Sequence, residues 1–204
     1  MNLPKLYYIT QPIAGLTYSQ QVEQVCQGGV RLIQLRIKNI SEEEYMAIVL
    51  DVKLVTDRYQ ATLIVNDNIT IACAANASGV HVGLHDISPP KARKLLLPRM
   101  LLGGTANTFE RIQEIYPYVD YIGLGPFRFT TTKQNLSPIL GIEGYSRIMQ
   151  QMREQGMTKP VYAIGGIEPE DICSILETGV HGIALSSTIA KAVSISEAAA
   201  SLIL

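Results

Sequence analysis

The 204-residue chain lacks an excess of charge of either sign: 17 lysines and arginines stand against 18 aspartates and glutamates, with no dense basic run. That balance argues against a broad nucleic-acid surface, which needs clustered cations. The chain also lacks any apolar run of the roughly 18 residues that a bilayer crossing requires. Its start, MNLPKLYYIT, leads into a strand-like pattern instead of a signal peptide, so a cytoplasmic protein is expected. Cysteine is scarce. Cys26, Cys73 and Cys173 are odd in number, widely spaced and without a C-x-x-C pair, which argues against a disulfide framework and for buried free thiols. No G-x-G-x-x-G follows the first strand-like run, so the usual dinucleotide signature is missing.

What is present is apolar and periodic. Hydrophobic residues make up 47% and charged residues 17% of the chain, enough to bury a core, and the length fits one domain spanning 1–204. Eight short β-rich runs recur: LYYIT (6–10), LIQLRI (32–37), TLIVND (62–67), GVHVG (79–83), RMLLGG (99–104), YIGLGP (121–126), VYAIGG (161–166) and GIALSS (182–187). Helix punctuation falls between them. Ser41-Glu42-Glu43-Glu44 reads as a capping box, Ser88-Pro89-Pro90 and Glu168-Pro169-Glu170-Asp171 as helix starts, and Gly28-Gly29 and Gly179 as helix stops. Eight strand–helix units about 25 residues apart predict an α/β fold closed as a (β/α)8 TIM barrel. In such a barrel the active site lies at the C-terminal ends of the strands, so those ends carry the functional reading.

The second run ends in Gln34-Leu35-Arg36-Ile37-Lys38, whose alternation puts Gln34, Arg36 and Lys38 on one side. Two cations there imply either an anionic ligand or an internal ion pair with Asp67 or Asp86. The third run ends in Asn66-Asp67 and the fourth leads to Asp86. Carboxylates from adjacent strand ends, about 5 Å apart, would repel by roughly 3 kcal/mol at an effective dielectric near 20, a penalty that a cation removes. With oxygen ligands and no clustered histidine or cysteine, Mg²⁺ fits better than Zn²⁺. The alternative makes Asp67 and Asp86 helix N-caps. Gly165-Gly166 and Ser186-Ser187 close the last two runs, where barrels often bind phosphate. The loop after the sixth run carries Thr130, Thr131, Thr132 and Lys133, phosphate-binding chemistry on a connection long enough to act as a lid. His81 and His181 read as structural histidines, and His85 as a neighbour of Asp86.

Taken together, Q-L-R-x-K, N-D, V-H-x-G-x-x-D, G-P-x-x-x-T-x-T-K, A-I-G-G-I and a closing S-S run in order from Gln34 to Ser187. This series resembles the thiamine phosphate synthase family. The resemblance implies a transferase that joins 4-amino-2-methyl-5-hydroxymethylpyrimidine diphosphate to 4-methyl-5-(2-hydroxyethyl)thiazole phosphate, releasing pyrophosphate. By it, Gln34, Leu35, Arg36, Ile37, Lys38, Asn66, Thr105 and Lys133 would hold the pyrimidine diphosphate. Arg36, Lys38 and Lys133 would be the catalytic cations, and Asp67 and Asp86 would hold Mg²⁺. Thr130, Thr131, Thr132, Gly166, Ser186 and Ser187 would bind the thiazole phosphate. The partners would be these small molecules, with no nucleic acid or membrane, and a homo-oligomer is left open. Departures from the family pattern are Thr105 and Asn107 after the fifth run, Leu84-His85, and Arg128-Phe129.

Three other readings compete with this one. A thiazole tautomerase on the same barrel would use a histidine where this chain has Pro126. A silent phosphate-binding barrel would bind ligand without turnover or a Mg²⁺ requirement. An isomerase would need an acid–base pair across the mouth, which the basic rim does not offer.

Overall fold

The computed structural model describes residues 3–129 and 138–203. Eight parallel strands, β1 (Leu6–Ile9), β2 (Leu32–Leu35), β3 (Thr62–Asn66), β4 (Gly79–Val82), β5 (Leu101–Ala106), β6 (Tyr121–Leu124), β7 (Val161–Ile164) and β8 (Gly182–Leu185), close in sequence order, with β1 pairing β8. Between them lie α1 (Tyr18–Gln27), α2 (Glu42–Arg58), α3 (Ile69–Ala74), α4 (Pro89–Leu95), α5 (Phe109–Ile115), α6 (Gly141–Glu154) and α7 (Ile172–Glu177), the last entered through a 3-10 turn, Pro169–Asp171. After β8 come α8 (Ser187–Ala190) and α9 (Ile195–Ser201), which packs beside α1. This is the expected (β/α)8 barrel.

The strands are buried on both faces, and their period of two divides the core into two parts. Outward residues such as Ile33, Leu35, Leu63, Val65, Leu102 and Ile183 pack beneath the helices. Inward residues, among them Tyr7, Leu32, Ile64, Tyr121, Tyr162 and Ala184, fill the barrel interior as a separate cluster. Tyr7, Tyr121 and Tyr162 meet edge to face, with ring centroids 5.8, 5.3 and 5.7 Å apart, the arrangement that aromatic quadrupoles favour. Gly103 makes room for this layer, because a Cβ there would stand 2.2 Å from Tyr121 Cζ and 2.4 Å from His81 Nδ1.

Several boundaries differ from the sequence reading. β2 ends at Leu35 because the Arg36 amide leaves the ladder and donates to Thr10 Oγ1 at 2.9 Å, so Arg36, Ile37 and Lys38 belong to the following loop. β5 begins later and runs to Ala106, paired with β6 through Thr105↔Gly123, so Thr105 lies in a strand, not after one. The Ser41 capping box forms as expected: Ser41 Oγ accepts from the Glu44 amide at 3.2 Å, and Glu44 accepts from the Ser41 amide at 3.3 Å. The expectation of buried thiols holds for Cys26 and fails for Cys173, which sits exposed on α7, with Cys73 between the two; all three are free.

Candidate functional site

All strands run the same way, so whatever follows them collects on one rim. Gln34 and Asn66 are buried there at the ends of β2 and β3. Tyr45 of α2 binds these two ends together, its hydroxyl shared between the carbonyls of Leu35 at 3.0 Å and Asn66 at 3.2 Å. Asp67 follows with φ 62°, a left-handed backbone that costs a non-glycine residue on the order of 1 kcal/mol and is common at functional sites. Its amide donates to the carbonyl of His81 on β4 at 2.9 Å, which turns the residue across the neighbouring strand.

Asp67 and Asp86 lie within hydrogen-bonding reach of each other, and the Lys38 ammonium forms an ion pair with Asp67. Burial, reinforced by the Asp86 carboxylate, pushes Asp67 up to about 6 against the pull of Lys38. Burial would raise Asp86 too. The hydrogen bonds from Asp67 and from the Gly83 amide, with the charges of Lys38 and His81, hold it below the ordinary carboxylate value instead. Of the two, Asp67 is therefore the more readily protonated as pH falls, and Asp86 keeps its charge. The Lys38 ammonium offsets part of the charge that a divalent cation would neutralise on both acids. Among the described residues no group of three or more His, Cys, Asp or Glu side chains gathers. A metal held here would complete its shell with water and substrate oxygens, which is the habit of Mg²⁺.

The N-cap alternative for these acids fails. Asn68, not Asp67, caps α3, its side chain accepting from the Ile71 amide at 2.9 Å, while Ser88 occupies the cap position of α4 and Asp86 turns back to accept from the Gly83 amide at 2.7 Å. Of the predicted cations, Lys38 joins the acids, which realises the internal ion-pair alternative. Arg36 makes no ion pair among the described residues and lies near Tyr18 and Tyr45. Leu35 and Ile37 are buried in the outer core under the helices, so their side chains face away from the mouth. His85 is exposed. His181 is structural, donating from Nε2 to the Leu3 carbonyl at 2.8 Å.

Beneath the rim runs a chain of hydrogen bonds that periodicity does not reveal. Gln34 Nε2 donates to Tyr7 Oη at 2.7 Å, Tyr7 meets Tyr121 at 2.8 Å, Tyr121 Oη meets His81 Nδ1 at 3.3 Å, and His81 Nε2 meets Thr105 Oγ1 at 2.9 Å. Two candidate site residues on β2 and β5 are thus tied across the barrel through β1, β6 and β4. A buried polar group holds its position only when satisfied, so Tyr7, Tyr121 and His81 fix how Gln34 and Thr105 present themselves.

On the opposite side, Gly165 and Gly166 have φ 99° and 68°. A Cβ on Gly165 would stand 2.8 Å from Pro126 Cβ, so the turn needs glycine. Ser186 Oγ is buried without a hydrogen-bond partner among the described residues, and Ser187 opens α8. An unsatisfied buried hydroxyl beside a glycine turn suits an incoming anion. Thr130, Thr131, Thr132 and Lys133, and the lid they were expected to form, lie outside the described residues.

Comparison with known proteins places the chain in a family. Residues 6–189 match the family model described as thiamine monophosphate synthase. A thiamine-phosphate synthase of Bacteroides thetaiotaomicron is 47% identical over 188 residues, covering 92% of this chain and 90% of the relative. One from Enterococcus faecalis is 36% identical over 196 residues, covering 95% and 90%. Among solved structures, a thiamine phosphate pyrophosphorylase from Pyrococcus furiosus superposes with a TM-score of 0.87 at 30% identity, covering 98% of this chain and 94% of the other. The chain belongs to the thiamine monophosphate synthase family.

Proposed function

We propose that this barrel carries out its family's transferase reaction, thiamine phosphate synthesis, by a dissociative, Mg²⁺-assisted substitution at the mouth described above. The observation that carries the reading is the meeting of Asp67, Asp86 and Lys38 at the ends of β2, β3 and β4. The pyrimidine diphosphate would lie over Gln34, Asn66 and Thr105, with Arg36 and Lys38 reaching its diphosphate. Leu35 and Ile37 would contribute backbone only. Lys133, and Thr130, Thr131 and Thr132, keep the roles that the family resemblance implies, on the leaving diphosphate and the thiazole phosphate respectively. Gly166, Ser186 and Ser187 would complete the thiazole-phosphate subsite.

Cleavage of the C–O bond leaves a benzylic-type pyrimidine cation and a polyanion. The protein therefore has to stabilise charge on the leaving group and align the thiazole nitrogen with the exposed carbon. Mg²⁺ bound by Asp67 and Asp86 would neutralise charge on the leaving diphosphate. When substrate arrives, Lys38 can exchange its bond to Asp67 for one to a phosphate oxygen. Arg36, without an ion pair among the described residues, is ready for a bidentate one. Gln34 and Thr105, held by the interior hydrogen-bond chain, orient the ring. No side-chain nucleophile is required.

The test is formation of thiamine phosphate from the two purified substrates, with and without Mg²⁺. Product is expected only with the metal, and Asp67→Ala should cut turnover by about a hundredfold or more with the fold intact by circular dichroism. Product at full rate in chelator, or an Asp67→Ala enzyme of undiminished turnover, would sink the proposal.

A further inference from the structure

Arg128 stands where the family pattern departs, and neither the sequence motifs nor the reaction scheme gives it a task. It lies just past β6, yet the pairing of β6 with β7 continues through it. The Phe127 amide donates to the Ile164 carbonyl and the Arg128 amide to the Gly165 carbonyl, each at 2.9 Å. Its guanidinium then closes on the β7 loop. Nη1 donates to the Gly166 carbonyl at 2.9 Å, and Nη1 and Nη2 grip both carboxylate oxygens of Asp171 at 2.9 Å. Asp171 also accepts from the Glu168 amide at 2.9 Å, so the far end of the loop is held by the same carboxylate. The guanidinium carbon lies 5.2 Å from the centroid of the Phe127 ring, a stacking arrangement open to arginine's planar group.

These bonds engage the carbonyls of the glycine turn in succession. Gly165 and Gly166 give theirs to Arg128, and Ile167 gives its own to Thr188 Oγ1 at 2.7 Å. A trans peptide points its N–H opposite to its carbonyl. With the carbonyls of Gly165 and Gly166 drawn to Arg128, the amides of Gly166 and Ile167 face the other way, and neither has a partner among the described residues. Successive outward amides in left-handed backbone form an anion-binding nest, and the Ser186 hydroxyl, buried without a partner among the described residues, is a second, independent sign of a ligand site.

The geometry points to Arg128 as a positioning residue for the phosphate-bearing thiazole substrate. It clasps the root of the β6 loop to the β7 loop, and so holds the glycine turn with its amides presented. This rests on the reading of Gly166, Ser186 and Ser187 as that substrate's phosphate subsite. Arg128 itself touches no substrate; it acts through the turn.

The test is steady-state kinetics with each substrate varied in turn, on Arg128→Ala, Arg128→Lys and Ser186→Ala, alongside thermal melts. If loss of the clasp leaves the receptive turn in about a tenth of molecules, KM for the thiazole phosphate rises roughly tenfold, with the pyrimidine-diphosphate KM unchanged. Arg128→Lys should recover only part of the difference, because an ammonium cannot span two carboxylate oxygens and a carbonyl. Asp171→Asn should raise the same KM, and the double variant with Arg128→Ala should add little more. An unchanged thiazole-phosphate KM in Arg128→Ala, or a parallel rise in both KM values, overturns the clasp if Ser186→Ala still raises the thiazole-phosphate KM. A Ser186→Ala enzyme with normal KM removes the subsite reading, and the clasp with it.

Discussion

Asp67 concentrates the chemistry of the rim in one side chain. Its position past the end of β3 was readable from the chain, because strand ends in a barrel converge, whereas its protonation is a property of three loops together. With a folded-state value near 6 against an ordinary value near 4, Asp67 contributes stability below about pH 4 that is lost as pH rises through 6. In metal-free protein, Asp67→Asn should therefore raise the melting temperature above pH 6 and leave it unchanged at pH 4, while abolishing stabilisation by Mg²⁺. For the unsubstituted chain the sign with metal is opposite. Mg²⁺ must displace the proton, so the melting-temperature rise that it produces should be larger at pH 8 than at pH 5. Equal shifts at both pH values would place the ion away from these carboxylates.

At the level of elements, tyrosines on the helices tie neighbouring strand ends together. Tyr45 bridges the ends of β2 and β3, and Tyr145 of α6 does the same for β6 and β7, donating to the Leu124 carbonyl and accepting from the Ile164 amide. Each tyrosine lies on the helix that follows one strand of its pair, so helix docking and strand-end spacing are set together. Tyr145→Phe removes both bonds of a buried hydroxyl while the Leu124 carbonyl and the Ile164 amide keep their strand pairing, and should cost about 1 kcal/mol, measured by chemical denaturation. Gly103→Ala should be worse tolerated than an alanine at a helix-facing glycine, because its Cβ would meet the Tyr121 ring. Element type and order were legible because apolar runs and caps alternate; the ends were not. Nothing in L-I-Q-L-R-I says that the Arg36 amide prefers Thr10 to the ladder.

Across the whole molecule, closure of the barrel creates contacts that no local pattern holds. Tyr7 and Tyr121, 114 residues apart, share a hydrogen bond that places Gln34 at one wall and, through His81, Thr105 at the other. Tyr7→Phe cuts two of these bonds at once. The Gln34 amide is then buried without a partner, and a loss of roughly 2–10 °C in melting temperature should follow. A raised KM for the pyrimidine diphosphate is expected with it. Among the described residues no helix is long and apolar enough to cross a membrane, in keeping with the short apolar runs of the sequence.

The chain by itself determined the eightfold alternation, hence a parallel closed sheet, and with it the candidates Gln34, Asn66, Asp67 and Asp86 at strand ends, because hydrophobic period and strand direction are local properties. Only tertiary structure decided which carboxyl is the more readily protonated, that Lys38 pairs with Asp67, that Thr105 hangs from a buried histidine, and that Arg128 reaches Asp171 across 43 residues. Those outcomes depend on distances between chain segments far apart in sequence, and such distances exist only once the first strand has met the eighth.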